Sequence, residues 1–204
     1  MEATLRRVQQ YRNLFRFIIA RFLYVDAIST VTSFMAVYTV KVLGFTDNMN
    51  QALFVVGAAF AVLGGAVAGR VVDRIGPKRT LTAVLLLWAV VLLGAASTFY
   101  RPAFWGIGAL VGFSLASLWT SDRVFLLRLA PPERLGEFFG LFGVIGKLSA
   151  VLGPLLWGGT LLALEGLGQA SFRVAILVLL LLLFAGILVL RGVREPKPST
   201  EAGG

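Results

Sequence analysis

Long apolar stretches without charge alternate with short polar segments along almost the whole chain. These uncharged stretches run over Asn48–Gly69, Thr80–Tyr100, Pro102–Ser121, Leu148–Leu164 and Val174–Leu190. A helix needs about 20 residues, at 1.5 Å per residue, to cross a bilayer core of roughly 30 Å. The apolar residues do not alternate with a period of two, as they would in the strands of a transmembrane β-barrel. The pattern therefore predicts helices that span a membrane.

A sixth span precedes these stretches, although Arg16, Arg21 and Asp26 interrupt it. We expect an all-α membrane protein with six transmembrane helices, over residues 14–43, 48–70, 80–100, 102–129, 137–164 and 172–191. Residues 1–13 are expected to form a cytoplasmic N-terminal segment, and residues 192–204 a disordered cytoplasmic tail. Because the connections are short, a single membrane domain over residues 14–191 accounts for the rest of the chain.

The basic residues predict the orientation of the spans. The net charge is +9, and most of the 19 Lys and Arg residues fall on the side that holds both termini and the connections after spans two and four. The other side holds only Lys41, Arg101 and Arg173. Cytoplasmic loops carry the excess of Lys and Arg, so both termini are expected in the cytoplasm. We expect an integral protein of the plasma (inner) membrane whose charge contacts anionic lipid headgroups, and no nucleic acid partner.

Composition excludes several kinds of chemistry. The chain has no Cys and no His, so it lacks thiols and disulfides as well as the commonest metal ligand. It shows neither paired carboxylates at the spacing that hydrolysis needs nor a phosphate-binding loop. We therefore expect no enzyme activity, no cofactor and no metal site.

The connection between spans two and three carries the most specific motif, Gly–x3–Asp–Arg–x–Gly–x–Lys–Arg. Its glycine ends a stripe of small residues, and such stripes let a neighbouring helix approach closely. Its acidic residue can cap a helix turn, and its second glycine makes the turn with Pro77. This pattern resembles the signature cytoplasmic loop of the major facilitator superfamily. The predicted gating motif consists of Gly69, Asp73, Arg74, Gly76, Lys78 and Arg79.

A narrower resemblance, over about residues 14–190, rests on further segments. They are Phe22–Asp26 in span one, Glu137–Gly140, and the pairs Gly146-Lys147 and Gly153-Pro154. Together they look like the second, C-terminal six-helix half of the autophagy-related vacuolar effluxers and their bacterial relatives. The chain departs from this branch at Ala27, where the branch has Gly, and at Asp122, which precedes Arg123 here.

The resemblance implies one half of a major facilitator fold, an inverted 3+3 repeat that faces a second six-helix half across a central cavity. In such a half, the first helix of each triplet lines the cavity, the second contacts the other half and the third faces lipid. The Gly-rich spans two and five are then expected to have no partner inside one bundle. Their partner would be a second copy of the chain or an N-terminal-half protein.

Charged residues within the spans are the candidate cavity residues, because an intramembrane charge is costly unless it is paired or hydrated. Asp26 and Lys147 both lie about ten residues inside their spans, roughly 15 Å by helix rise, and are expected to pair. That pair would be either a substrate and coupling site or a static ion pair. Asp122 is expected in a gate or interface salt bridge, with its neighbour reaching towards the interface. The predicted substrate or coupling residues are Asp26, Lys147, Asp122, Arg123, Arg21 and Tyr24.

The expected function is that of a half-length secondary active transporter. It would move a small solute by alternating access together with a second six-helix half, and Asp26 offers a route for coupling to protons. Two other interpretations stay open: a non-transporting truncated or regulatory membrane component, and a small oligomeric channel. Its expected partners are the lipid bilayer, the solute and the second half.

Overall fold

The computed structural model describes residues 2–148 and 150–194, which are helical over most of their length and contain no strand. The helices are α1 (Glu2–Leu43), α2 (Asp47–Ile75), α3 (Pro77–Ser97), α4 (Ala103–Leu129), α5 (Leu135–Leu148), α6 (Leu152–Ala163) and α7 (Gln169–Arg191). Short 3₁₀ segments at Pro132–Arg134 and Glu165–Leu167 precede α5 and α7. The all-α fold class expected from the sequence is confirmed. The predicted disordered tail lies outside the described residues from position 195 onwards.

Five segments of the described chain are long and apolar enough to cross a membrane: α2, α3, α4, the stretch Pro132–Ala163 and α7. We count α1 as the sixth span because it lies along α7 in the opposite direction. At one end, Arg16 Nη1 donates a hydrogen bond of 3.2 Å to the carbonyl of Gly192. Further along, a Cβ added at Gly186 would approach the backbone of Ala20 and Tyr24 to about 3.1 Å.

The packing of α2 against α4 shows how the first triplet meets the second. Leu53 contacts Gly108, Gly57 lies against Gly112, and Ser117 Oγ donates to the carbonyl of Gly64 at 2.9 Å. Residue numbers rise together along the two helices, so α2 and α4 run parallel.

The packing of α1 against α5 and α6 repeats this arrangement with the triplets exchanged. Arg21 contacts Phe142, Asp26 contacts Gly153, and the rings of Phe34 and Trp157 stack with centroids 5.3 Å apart. These helices also run parallel. Spans two and four of the chain therefore correspond to spans five and one, as an inverted 3+3 repeat requires.

The third helices of the two triplets, α3 and α7, lie antiparallel to each other. Lys78 Nζ, at the start of α3, donates to the carbonyls of Arg191 and Val193 at the end of α7. At the opposite ends, Arg173 donates to the carbonyls of Ala96 and Thr98, at 2.9 and 3.0 Å. Each basic side chain satisfies carbonyls that a helix end leaves without partners. The six spans thus form one half of the major facilitator fold.

The span predicted over residues 137–164 is divided into two helices. α5 ends at Leu148 and α6 begins at Leu152. Pro154 lacks an N–H and its ring excludes the carbonyl four residues earlier, so a continuous helix is disfavoured there but a first helical turn is not. The apolar pattern runs through this break without a change.

Gly57 and Gly64 of span two pack against α4 inside the bundle, contrary to the expectation from the sequence that they have no partner there. A Cβ added at Gly64 would overlap the backbone of Phe113, and one at Gly57 would come within 3.3 Å of the carbonyl oxygen of Gly108. These glycines are needed because α2 and α4 approach backbone to backbone. By contrast, nothing lies within 4 Å of a Cβ added at Gly140, Gly143, Gly158 and Gly159 in span five, or at Gly69.

Gly112→Ala is expected to destabilise the protein, because the added methyl group overlaps the carbonyl of Gly57 and must push α2 from α4. Gly106→Ala on the same helix is the matched control, since nothing lies within 4 Å of its added Cβ. Alanine also favours a helix by about 1 kcal/mol over glycine. Thermal unfolding of the purified variants in detergent should place Gly112→Ala several degrees below the control. Equal unfolding temperatures would contradict the close contact.

Candidate functional site

A buried ion pair joins the first helices of the two triplets. Arg21 Nε on α1 donates to Asp122 Oδ2 on α4 at 2.9 Å. The hydroxyl of Tyr24, one turn further along α1, donates to the other oxygen of the same carboxylate. Asp122 and Tyr24 are 1% and 0% exposed. Both carboxylate oxygens therefore have donors, as a charge inside a membrane protein requires.

The guanidinium of Arg21 also contacts α5. Its Nη1 donates to the carbonyl of Phe142 at 3.0 Å, and its Cζ atom lies 3.4 Å from the centroid of the Phe142 ring. Gly146, one turn later, leaves the room that this side chain needs, since a Cβ there would lie 3.3 Å from the guanidinium nitrogens. Arg21, on α1, thus bonds to two other helices, to α4 through charge and to α5 through carbonyl and ring contacts. The sequence identified Arg21, Tyr24 and Asp122 as candidates but not their contacts with each other.

Asp26 is a residue of α1, and its carboxylate lies against the start of α6 and not beside Lys147. Its Oδ2 accepts a hydrogen bond of 2.6 Å from the backbone N–H of Gly153, and the residue has no exposed surface. The first N–H groups of a helix have no partner inside it, so an aspartate from a neighbouring helix can cap them. Within residues 2–148 and 150–194, the expected ion pair between Asp26 and Lys147 is not formed, and Lys147 is exposed. Equal depth along two helices does not make their side chains face each other.

Gly153 is a residue of this site that the sequence analysis missed as a partner of Asp26. A Cβ at Gly153 would overlap Thr30 Oγ1 and approach the Asp26 carbonyl oxygen to 2.9 Å. The signal was present, because a Gly-Pro pair inside an apolar span marks a break whose free N–H groups need acceptors.

Arg123 is exposed on α4, although its neighbour Asp122 is buried. No hydrogen bond or ion pair is formed by the side chains of Arg123 or Lys147 with the part of the chain that the structure describes. The bundle therefore encloses both of its intramembrane carboxylates and leaves these two cations at its surface.

The predicted gating motif covers the end of α2, the turn at Gly76 and the start of α3. Gly76 adopts φ +86°, a conformation that favours glycine, and donates its N–H to the carbonyl of Val72. Pro77 starts α3 as its first residue. Lys78 bonds to the end of α7, as described above, while Asp73, Arg74 and Arg79 are exposed. Within residues 2–148 and 150–194, the contacts of Gly76 and Lys78 explain why the motif has these residues.

An apolar groove of about 190 Å³ lies between α1, α2 and α4. Thr32 and Met35 line it from α1, and Ile107, Val111 and Leu115 line it from α4. Among the described residues, His, Cys, Asp and Glu form no group of three or more that could hold a metal ion. The lining of the groove can bind a solute by apolar contacts.

Six spans in an inverted repeat, with buried charges on the first helix of each triplet, are the features of the major facilitator superfamily. The sequence profile of the family described as "Vacuole effluxer Atg22 like" matches residues 1–203. The chain belongs to this family, the Atg22-like branch of the superfamily, and is an integral membrane protein.

Individual relatives agree with the family. The chain is 29% identical over 195 residues to the "Uncharacterized MFS-type transporter YxiO" of Bacillus subtilis (strain 168), covering 94% of this chain and 44% of that protein. It is 27% identical over 218 residues to "Autophagy-related protein 22" of Coccidioides immitis (strain RS), covering 98% and 36%. It is 29% identical over 163 residues to "Multidrug resistance protein MdtH" of Shigella flexneri serotype 5b (strain 8401), covering 74% and 38%. The chain thus spans less than half the length of these relatives, the first of which is described as a transporter.

Replacing one member of the Arg21–Asp122 pair should cost more folded protein than replacing both. Arg21→Gln leaves the buried Asp122 carboxylate without its cation, and Asp122→Asn leaves the buried Arg21 guanidinium without its anion. In soluble proteins such a loss lowers the free energy of unfolding by about 3–5 kcal/mol. The double variant leaves no charge to strand, so it should recover most of the folded protein. Size-exclusion chromatography of detergent extracts measures the monodisperse fraction.

The exposed pair of Arg134 and Glu137, 4.0 Å apart, provides the matched control. The same cycle at Arg134→Gln and Glu137→Gln should show no coupling, because exposed ion pairs contribute little. Losses at Arg21 and Asp122 that simply add in the double variant would contradict the buried pair.

Proposed function

We propose that the chain is one six-helix half of a secondary transporter, which moves a small solute by alternating access together with a second six-helix half. The observation that carries the proposal is the exposure of Arg123 and Lys147 inside spans of a transporter-family fold. Charges in such positions face water-filled cavities or other protein, and seldom lipid. A second half placed against this face would enclose a cavity lined by α1 and α4.

The share of the relatives that the chain covers is consistent with one half of a two-half transporter. It covers 44% of the Bacillus subtilis relative and 38% of the Shigella flexneri relative, close to one of two equal halves. The second half would be another copy of this chain or an N-terminal-half protein. The open surface of span five, where a Cβ at Gly158 or Gly159 meets nothing within 4 Å, is the proposed contact.

Asp26 is the proposed coupling residue, with Asp122 as the second acid of the site. Asp26 bonds to the first turn of α6, so it couples span one to the broken span five. Broken helices near the membrane midplane are where transporters of several folds bind their coupling ions. A proton taken up by Asp26 would weaken its hold on α6, because a carboxylate accepts an N–H bond more strongly than a carboxylic acid does.

The proposed location is the plasma membrane, with both termini in the cytoplasm. The bacterial relatives support the plasma membrane as the location. The excess of Lys and Arg on the side that holds the termini supports their cytoplasmic orientation.

Reporter fusions test this orientation. Fusions after Thr46 and after Glu165 should report the external side, and a fusion after Pro77 the cytoplasm, because basic residues cluster around the last position only. Alkaline phosphatase and green fluorescent protein activities at each position measure the side. An external result after Pro77 would contradict both the orientation and the six-span arrangement.

Single cysteines test the requirement for a second half, since the chain has none of its own. With a bismaleimide in native membranes, Gly158→Cys should be crosslinked to a second copy or to a six-span chain that mass spectrometry identifies. Leu181→Cys on α7 is the control, because this residue is 69% exposed on a helix of the type that faces lipid.

Uptake into membrane vesicles that contain the crosslinking partner should be saturable and show counterflow. A chain that stays monomeric and yet transports would contradict the second half. A partner without any solute movement would favour a regulatory component, and flux without counterflow would favour a channel.

A further inference from the structure

Two buried oxygen atoms of α1 have no hydrogen-bond partner in the part of the chain that the structure describes. They are Asp26 Oδ1 and Thr30 Oγ1, and their residues are 0% and 1% exposed. A buried polar atom without a partner has lost its hydration and gained nothing in return, so such atoms are rare. Since neither atom has a partner, the two also form no hydrogen bond with each other. A group bound between them would satisfy both.

Both oxygens lie at the break in span five. Residues four apart share one face of a helix, and the face of α1 that carries Asp26 and Thr30 contacts the first turn of α6. Asp26 Oδ2 accepts from the Gly153 N–H at 2.6 Å, and a Cβ added at Gly153 would overlap Thr30 Oγ1. The N–H of Val151 also lies near the carboxylate but forms no hydrogen bond with Oδ1. The unpartnered atoms therefore flank the region where α5 ends and α6 begins.

The charges around this region favour a cation. Asp26 forms no ion pair with any described residue, because Arg21 pairs with Asp122 and Lys147 is exposed. α6 itself carries no ionisable residue. The positive end of the α6 dipole meets Asp26 Oδ2, but the negative end of the α5 dipole lies across the break, so the two helix ends offset each other. The carboxylate is thus left without a full positive charge beside it.

The ligands at this position favour sodium. Transporters of other folds bind sodium where a helix is broken near the membrane midplane, through backbone carbonyls at the broken end. The last carbonyls of a helix have no partner inside it, so the end of α5 adds oxygens of this type. One carboxylate neutralises a monovalent ion, whereas a divalent ion would leave a buried charge. Sodium needs neither His nor Cys, whose absence led us to expect no metal site.

We propose that Asp26 Oδ1 and Thr30 Oγ1 bind a sodium ion at the break in span five. The inference rests on the coupling role proposed for Asp26 and names the ion that its ionised carboxylate binds. A proton on Asp26 would remove the charge that holds sodium, so the two ions would alternate at this residue. The sodium ion would connect α1 to the end of α5, as the hydrogen bond to Gly153 connects α1 to α6.

Equilibrium binding of radioactive sodium to the purified full chain in detergent tests the inference. Thr30→Val keeps the shape of the side chain but removes a ligand, so it should raise the Kd for sodium by about tenfold or more. Thr30→Ser keeps the hydroxyl and should bind as the unsubstituted chain does, and Asp26→Asn should lose saturable binding. Thr32→Val is the matched control, because Thr32 Oγ1 already donates to the carbonyls of Ile28 and Ser29.

All variants are compared at equal monodisperse yield, and a second measurement needs no variant. Sodium chloride should raise the thermal unfolding temperature of the unsubstituted chain above its value in choline chloride at the same concentration, since a ligand that binds only the folded state stabilises it. Absence of saturable sodium binding would overturn the inference. Equal Kd values for Thr30→Val and Thr32→Val would do the same, as would equal unfolding temperatures in the two salts.

The counterflow assay in vesicles separates this inference from the proposed function. Counterflow by a chain that binds no sodium would overturn the sodium site and leave the transport function standing. Sodium binding that Thr30→Val weakens, without counterflow in vesicles that contain the complete transporter, would support the site and count against the transport function.

Discussion

The bond between Arg21 and Asp122 is the interaction on which the arrangement of the charged spans depends. A guanidinium stays charged and presents five N–H donors, so a buried arginine must be surrounded by acceptors. Asp122 on α4 and the Phe142 carbonyl on α5 supply them, and the Phe142 ring covers the guanidinium face. Since α1 and α4 are the first helices of the two triplets, one side chain joins the two halves of the inverted repeat. Because Arg21 pairs with Asp122, the Asp26 carboxylate can accept a hydrogen bond from the first turn of α6.

The two corresponding helix pairs of the repeat both include close glycine contacts, but they differ in their charged contacts. α2 and α4 meet backbone to backbone at Gly57 and Gly112, a contact with no room for water. α1 meets α5 and α6 through Arg21 and Asp26, whose partners are a carbonyl and an N–H group. Polar contacts can exchange partners with water or solute, whereas the glycine contact has no alternative partner. The chemistry of the bundle is therefore concentrated along α1 and span five.

Depth in the membrane could be predicted from the sequence, but rotation about a helix axis could not. Apolar length located the spans, and the cost of an intramembrane charge identified Arg21, Asp122 and Asp26 as candidates. Counting residues put Asp26 and Lys147 at similar depth, yet the Asp26 carboxylate faces Gly153. Two of the contacts missing from the sequence analysis involve backbone groups, the Phe142 carbonyl and the Gly153 N–H, which leave no mark on an apolar pattern. Pro154 was the one visible sign of a free N–H, because it interrupts a helix without interrupting hydrophobicity.

The break in span five separates two contacts of α1. Arg21 binds the Phe142 carbonyl on α5, and Asp26 caps α6 just beyond the break. Because each short helix has its own contact with α1, a change at Asp26 acts on α6 while the bond between Arg21 and α5 stays in place. In the proposed transporter, a proton taken up by Asp26 would therefore loosen α6 from α1 and leave the Arg21–Asp122 pair intact.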